Sequence, residues 1–254
     1  MVEDADARGL SWARNRGLER ATGDAVFFVD ADDTVRRGFI PELLALLEST
    51  GADFALSSFD YAPLKRGYDL RGNASVRAAM LSAFFGYSFD DVRRWNRGGR
   101  LDELREQGSV CRAAFRRDFL ERWQLRFDEN LFLYEDAPFL AECACRAERT
   151  VSTAAVYYDY TPGENGILAT SPRGSARYWR YKFAALANRK AIAARVGGDA
   201  LEHFRGSAAL TALEFLSAGR LLDFARYAAD AFVFKSLLKF PWSISKILSG
   251  ARGL

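Results

Sequence analysis

An alternation of strand and helix patterns in residues 25–59 constrains the fold more than any other feature of this chain. Residues 25–29 are a continuous apolar run and residues 52–59 are a second, mainly apolar segment, as expected for strands that are covered on both faces. Between them, residues 39–49 carry apolar side chains at helical spacing, with Pro41 in the first turn, where proline is tolerated. Strands joined through a helix favour a mostly parallel sheet flanked by helices, so we predict an α/β fold.

The remaining pattern predicts two regions. Residues 62–107 are polar and weakly patterned, and we interpret them as a variable insertion. Further elements are predicted as a strand over 151–160 and helices over 9–22, 76–85, 135–149, 176–196, 199–218 and 220–240. We therefore predict a domain over residues 1–174 and a helical C-terminal appendage over residues 175–254.

Composition excludes several kinds of function. The net charge is only +3, and six of the 36 basic residues are Lys, so scattered Arg does not indicate a nucleic-acid partner. The odd set Cys111, Cys143 and Cys145 lacks metal-ligand spacing, which predicts reduced thiols. Because His203 is the only histidine, the chain has too few histidines for a His-rich zinc site, and a Ser/His/Asp relay would depend on this single residue. Carboxylates must therefore carry any acid–base or metal chemistry.

Two acidic segments are candidates for that chemistry. Residues 30–33, here called the acidic turn, follow the first predicted strand, and α/β sheets present ligand-binding groups at the carboxyl ends of strands. Carboxylates are also the oxygen ligands that Mg²⁺ and Mn²⁺ prefer. Glu135 and Asp136 form the second segment, at the start of a predicted helix. Taken singly, the first segment could be an ordinary turn or cap, and the second could simply complement a helix dipole.

The order of these features resembles the family 2 glycosyltransferases of GT-A fold. The motifs that carry the resemblance are Gly9-Leu10-Ser11, Ala13-Arg14-Asn15, Ala21-Thr22-Gly23, Asp30-Ala31-Asp32-Asp33 and Tyr134-Glu135-Asp136. The resemblance covers about residues 2–172. It implies a GT-A-like sheet and transfer of a sugar, with inversion, from a nucleotide-diphosphate donor to a hydroxyl of a glycan or lipid-linked glycan. The process it implies is the synthesis of cell-surface polysaccharide or glycan.

The resemblance also implies roles for the residues of the donor site. Asp32 and Asp30 match family ligands of a divalent cation, Mn²⁺ or Mg²⁺, that binds the diphosphate. Asp30 and Asp33 are further expected to contact the donor or support that site. Arg14 and Asn15 match positions that line the donor pocket, although Arg14 could instead only cap the sheet.

The catalytic roles implied by the resemblance fall on the second acidic segment. Asp136 matches the general base, which takes the proton of the acceptor hydroxyl as that oxygen attacks the anomeric carbon. Glu135 is expected to orient the site, and it is the alternative base.

The beginning of the family pattern is not found in this chain. Family members usually open with strands and an Asp-Asp-Gly-Ser turn that bind the nucleoside, whereas this chain joins the pattern at Val2. We therefore expect the N-terminal nucleotide-binding strands to be missing. The alternative to an enzyme is a non-catalytic remnant or an interaction module.

The C-terminal residues 231–254 combine apolar side chains at helical spacing with Lys235, Lys239 and Lys246. This pattern is typical of a helix that lies on a membrane surface, and equally of a helix that packs on the rest of the protein. The polar N-terminus and the lack of any run of about 18 apolar residues predict a cytoplasmic protein. A peripheral position at the inner face of the membrane is one expectation.

Overall fold

The structure is a computed structural model that describes residues 9–59, 64, 66–96, 108–161 and 172–231. The described strands are β1 Ala25–Phe27, β2 Thr34–Val35, β3 Phe54–Phe59, β4 Asp69–Arg71, β5 Ala113–Arg116 and β6 Arg149–Asp159. The described helices are α1 Leu10–Arg20, α2 Phe39–Thr50, α3 Asn73–Phe84, α4 Phe89–Asn96, α5 Arg117–Arg122, α6 Asp136–Arg146, α7 Ala176–Val196, α8 Gly198–Ser217 and α9 Leu221–Asp230. A 3₁₀ turn over Val110–Arg112 precedes β5.

Contacts within the chain define two compact units. The sheet unit comprises Met1–Phe84 and Leu104–Thr170, and the helical unit comprises Phe85–Glu103 and Ser171–Leu254. In this division residues 85–96 group with the helical unit, whereas the sequence places them in an insertion of the first domain. The bounds of the two domains stay a prediction.

The sheet has the strand order β1-β5-β3-β6-β2, and β4 also pairs with β6. β1 and β3 both pair antiparallel with β5, while β3 pairs parallel with β6. Hence β1, β3 and β6 run in the same direction, and their carboxyl ends lie at one edge of the sheet. β5 runs the opposite way and begins at that same edge, which is the edge where α/β sheets bind ligands.

The α/β class is confirmed, but the pairing of the strands corrects one part of the prediction. The sheet is mixed rather than mostly parallel: β3 with β6 is the parallel pair among the described strands, and their other pairings are antiparallel. The main cause is β5, which inserts between β1 and β3. Its four residues carry no local pattern that distinguishes a strand from the start of helix α5.

An aromatic cluster fixes the end of β1 against helix α6. Phe28 makes edge contacts with Phe115, Phe127 and Phe139. Phe127 and Phe139 are stacked, with ring centroids 4.1 Å apart. Aromatic pairs add about 0.5–1.5 kcal/mol each beyond the burial of their surface. Because Phe28 precedes the acidic turn by two residues and Phe139 lies in the first turns of α6, the cluster holds both acidic segments in place.

The helical unit contains α4, α7, α8 and the described part of the third C-terminal helix, α9. The predictions of helices over 176–196 and 199–218 are confirmed by α7 and α8. The predicted third helix is confirmed as far as Asp230, and its continuation to residue 240 lies outside the described residues. Gly206 allows α8 to approach the turn before α4, because a Cβ atom there would lie 2.3 Å from the carbonyl oxygen of Tyr87. None of the described helices combines the length and apolar character needed to cross a membrane.

Candidate active site

The two acidic segments meet at the guanidinium group of Arg14, which projects from α1. Its Nη2 donates to Asp30 Oδ1 at 2.9 Å, and its Nη1 donates to Glu135 Oε1 at 2.8 Å. Nη1 also donates to Asp136 Oδ1. Arg14 itself is only 7% exposed. These four residues, here called the Arg14 network, form one group of charges at the carboxyl end of β1, in which Asp30 is the most exposed member.

Local hydrogen bonds on α1 position the start of α6. Asn15 exchanges two bonds with the backbone of Phe127: its Nδ2 donates to the carbonyl oxygen and its Oδ1 accepts from the N–H group, both at 2.9 Å. Ser11 Oγ donates to the carbonyl of Leu131 at 3.1 Å. The segment 127–131 is thus bound to α1 just before it leads into Glu135 and α6. The contact of Asn15 with a sugar donor stays a prediction.

The carboxylate of Asp136 is held at both oxygens. In addition to the bond from Arg14, its Oδ2 accepts the backbone N–H of Val110 at 3.1 Å. Burial raises the pKa of Asp136 to about 7; Arg14 opposes that rise, and the nearby charge of Glu135 adds to it. A carboxylate has about four lone-pair sites, so two bonds leave capacity for a further donor. Asp136 can therefore accept a proton near neutral pH.

The charges of the Arg14 network do not balance. Burial alone would lower the pKa of Arg14, but Asp136 and Asp30 raise it above its ordinary value, so the guanidinium stays charged. Cys111 lies beside it, with Sγ 3.8 Å from Nη2. Burial and the carboxylate of Asp30 raise the pKa of this thiol to about 12, so it is neutral. One cation thus faces three carboxyl groups, and the surplus of negative charge favours the approach of a cation.

The third carboxylate of the acidic turn ties that turn to the end of β6. Tyr158 Oη donates to Asp33 Oδ2 at 2.6 Å, and the N–H of Thr161 donates to Asp33 Oδ1 at 2.7 Å. The N–H of Asp30 in turn donates to Tyr158 Oη at 3.2 Å. Burial, followed by the bond to Asp33, raises the pKa of Tyr158 above its ordinary value. Both oxygens of Asp33 are therefore used in holding the turn, and its contact with a donor stays a prediction.

Asp32 differs from its neighbours because it is exposed and lies outside these hydrogen bonds. No group of three or more His, Cys, Asp and Glu side chains suited to a metal ion occurs in the part of the chain that the structure describes. Magnesium commonly takes only one or two protein carboxylates and completes its shell with phosphate oxygens and water. Asp32, together with Asp30 beside the surplus negative charge, fits that mode of binding.

Sequence reasoning identified both acidic segments and Arg14 but missed three members of the site. These are the N–H of Val110, the thiol of Cys111 and the hydroxyl of Tyr158. Val110 and Cys111 reach the site because β5 begins at this edge of the sheet, and the direction of β5 was not predicted. Tyr158 carried a usable signal, since it ends a predicted strand whose carboxyl end shares the edge.

Comparisons with known proteins point to glycosyltransferases. Residues 2–122 match the family described as Glycosyl transferase family 2. The chain is 31% identical over 151 residues to the succinoglycan biosynthesis protein ExoO of Rhizobium meliloti. This alignment covers 59% of this chain and 41% of that protein. It is 27% identical over 163 residues to the uncharacterized glycosyltransferase EpsJ of Bacillus subtilis, covering 63% and 44%. The chain thus spans less than half the length of these relatives.

A solved structure is similar in fold. The structure of S. aureus TarS 1-349 in complex with UDP-GlcNAc aligns with a TM-score of 0.54 and 17% sequence identity, over 96% of this chain and 68% of that one. At this identity the likeness supports the GT-A-like fold.

Proposed function

Since this chain carries a family 2 glycosyltransferase domain, we propose that it transfers a sugar from a nucleotide-diphosphate donor to a hydroxyl of a growing glycan. ExoO is named for succinoglycan biosynthesis, and the TarS structure contains UDP-GlcNAc, which supports a polysaccharide product and a uridine-diphosphate sugar as donor. Lipid-linked glycans are included among the acceptors.

The observation that carries the proposal is the convergence of the two acidic segments on Arg14. Asp30 is 16 positions from Arg14 in the chain and Asp136 is 122 positions from it, yet both accept hydrogen bonds from the same guanidinium group. That arrangement gives one place where a donor's phosphates and an acceptor's hydroxyl can be brought together. Positioning of two reactants is itself a large part of the catalysis of a displacement reaction.

Asp136 is the proposed general base. Its carboxylate takes the proton from the acceptor hydroxyl while the acceptor oxygen forms a bond to the anomeric carbon of the donor. The bond from that carbon to the diphosphate breaks at the same time, and the diphosphate leaves with the electron pair. A single displacement of this kind inverts the anomeric centre. The raised pKa makes Asp136 a stronger base than an ordinary carboxylate, and Glu135 orients it through the shared guanidinium group.

Asp32 and Asp30 are the residues that would hold Mn²⁺ or Mg²⁺. A divalent cation bound there with the diphosphate offsets the charge that develops on the leaving group. The role of Arg14 is then to hold Asp30, Glu135 and Asp136 at fixed separations, with direct donor contact as a further proposed role. Asp33 keeps the acidic turn attached to β6.

Substitution of the proposed base tests the mechanism. Asp136→Asn keeps the size of the side chain but removes the proton acceptor, so turnover should fall by about 10²- to 10⁴-fold. Calorimetric binding of UDP-GlcNAc in the presence of Mn²⁺ should be unchanged. Asp118→Asn is the matched control, because Asp118 is also in the first turn of a helix but is exposed. Near wild-type turnover in Asp136→Asn would transfer the base role to Glu135.

We also propose a cytoplasmic site of action at the inner face of the membrane, with residues 231–254 as a peripheral contact. Support comes from the alternation of apolar residues and lysines in that tail. Co-sedimentation of the chain with and without the tail, using anionic and neutral vesicles, tests it. Equal sedimentation of the two forms would leave the tail as a packed helix.

A further inference from the structure

Among the described residues of the helical unit, two neighbouring leucines at the start of α9 are the most exposed large apolar side chains. Leu221 is 62% exposed and Leu222 is 89% exposed. Tyr227 and Ala228 of the same helix are buried, so α9 has one packed face and one open face. A single exposed leucine is ordinary, whereas an adjacent pair at a helix end is a compact apolar patch.

Side-chain contacts place this patch beside the beginning of α7. The guanidinium of Arg220 lies over the ring of Trp179 at 5.2 Å, and that of Arg226 lies over the ring of Phe183 at 5.1 Å. Further along, Lys190 Nζ donates to the carbonyl of Asp230 at 2.9 Å. Contacts therefore advance along both helices together, so α9 runs beside α7 in the same direction.

The helix that α9 contacts, α7, is strongly basic. Helix α7 contains no acidic residue and carries the six basic residues Arg177, Arg180, Lys182, Arg189, Lys190 and Arg195. Lys182 is turned inward, with Nζ 3.0 Å from Glu214 Oε2, whereas Arg180 is exposed. The acidic residue next to the leucines, Asp223, pairs with Arg220. The leucine pair therefore lies on a helix that packs beside a helix with an excess of positive charge.

We infer that Leu221 and Leu222, with the arginines of α7 and α9, form a contact site for an anionic phospholipid surface. Leucines enter the boundary between headgroups and acyl chains, and arginines remain at the depth of the phosphates. Each basic residue near an anionic leaflet adds attraction that salt weakens. This inference extends the membrane contact within the proposed function, but it rests on described residues outside the tail 231–254.

Flotation of the full chain with vesicles tests this site. The probes are vesicles of phosphatidylcholine alone and vesicles that also contain phosphatidylglycerol. The double variant Leu221→Gln/Leu222→Gln should lower binding to the anionic vesicles about tenfold. Arg180→Glu should lower it too, and its effect should shrink at high salt. Ile40→Gln is the matched control, because Ile40 is a 51% exposed apolar residue on α2 of the sheet unit, and it should bind like the wild type.

A direct measurement separates contact by the leucines from contact by the tail alone. The three native cysteines are buried and free, so a polarity-sensitive dye can be attached to Leu222→Cys in the full chain, with Ile40→Cys as its control. Dye emission should shift to the blue on anionic vesicles at position 222 and stay unchanged at position 40. Unchanged binding by the double glutamine variant, no shift at position 222, or no binding by the wild-type chain would each overturn the inference. Turnover in solution should be normal in the glutamine variant, so a failure here is distinct from a failure of the catalytic proposal.

Discussion

Each of the two units holds a partly buried ion network, and the balance of charge in one is the reverse of that in the other. In the sheet unit, Arg14 faces three carboxyl groups. In the helical unit, the carboxylate of Glu214 faces Lys182 at 3.0 Å and Arg173 at 3.2 Å, and accepts from Tyr178 Oη at 2.5 Å. We call this second group the Glu214 network.

The pKa values of Asp136 and Glu214 are shifted in opposite directions in the two networks. Burial raises the pKa of Asp136 to about 7, since a single guanidinium shared by three carboxyl groups does not compensate for it. Burial also acts upward on Glu214, but Lys182 and the Tyr178 hydroxyl outweigh it and lower its pKa. The Glu214 network is closed and joins α7 to α8. The Arg14 network keeps a proton-accepting group near neutrality, which is what a catalytic site requires.

The largest expected effect on stability comes from removing the guanidinium group of Arg14. Arg14→Met leaves three carboxyl groups, two of them largely buried, without a counter-charge and should cost about 3 kcal/mol of unfolding free energy near neutral pH. The pKa of Asp136, which burial already raises, then rises further above its unfolded value. The folded state therefore binds more protons, and stability should recover as the pH falls. Urea unfolding at about pH 8 and about pH 6 measures it. Equal loss at both pH values would contradict the charge balance assigned to this network.

The Glu214 network should respond to pH in the opposite direction. Glu214→Gln leaves Lys182 buried beside a neutral amide, at a cost of about 2 kcal/mol. The pKa of Lys182 is already lowered by burial and should fall further below its unfolded value without Glu214. The folded state then binds fewer protons, so stability should recover as the pH rises. The same urea series extended to about pH 9.5 checks the sign. A loss that grows with pH would show that the two networks are not opposites.

A smaller effect on stability is expected at Asp32, whose carboxylate we propose binds the ligand without stabilising the fold. Asp32 is exposed and outside the Arg14 network, so Asp32→Ala should change the unfolding free energy by less than about 0.5 kcal/mol. Binding of UDP-GlcNAc in the presence of Mn²⁺ should nevertheless weaken about tenfold. Asp24→Ala is the matched control, since Asp24 is an exposed aspartate just before β1. Calorimetry that gives the same affinity for Asp32→Ala and the wild type would contradict the assignment of the ligand.

The parts of the fold that local pattern determines were predictable from sequence. Helices α1, α2, α7 and α8 have apolar periodicity and glycine near their ends, and the structure gives them close to the predicted bounds. The strand β3 is six residues long and buried throughout, and its mainly apolar sequence was sufficient to predict it. The acidic turn was recognisable because it directly follows an apolar strand.

The parts that depend on long-range pairing were not predictable. β2, β4 and β5 are two to four residues long, and their direction is set by partners far along the chain. Without the direction of β5, Val110 and Cys111 could not be assigned to the site. The bridging role of Arg14 was missed for the same reason. Whether an arginine contacts a ligand or neighbouring carboxylates depends on how α1 packs against α6, which no local pattern records.

The pH dependence of sugar transfer in single-turnover conditions tests the central proposal most directly, because it measures the proton acceptor itself. Asp136 must be deprotonated to accept the hydroxyl proton, and its pKa is raised to about 7. With UDP-GlcNAc and Mn²⁺ saturating, the wild-type rate should rise about tenfold per pH unit below about pH 7 and reach a plateau above it. The residual rate of Asp136→Asn should lack this rise. A wild-type rate that is constant from about pH 5.5 to 8.5, or the same rise in both proteins, would contradict the proposal that Asp136 is the base.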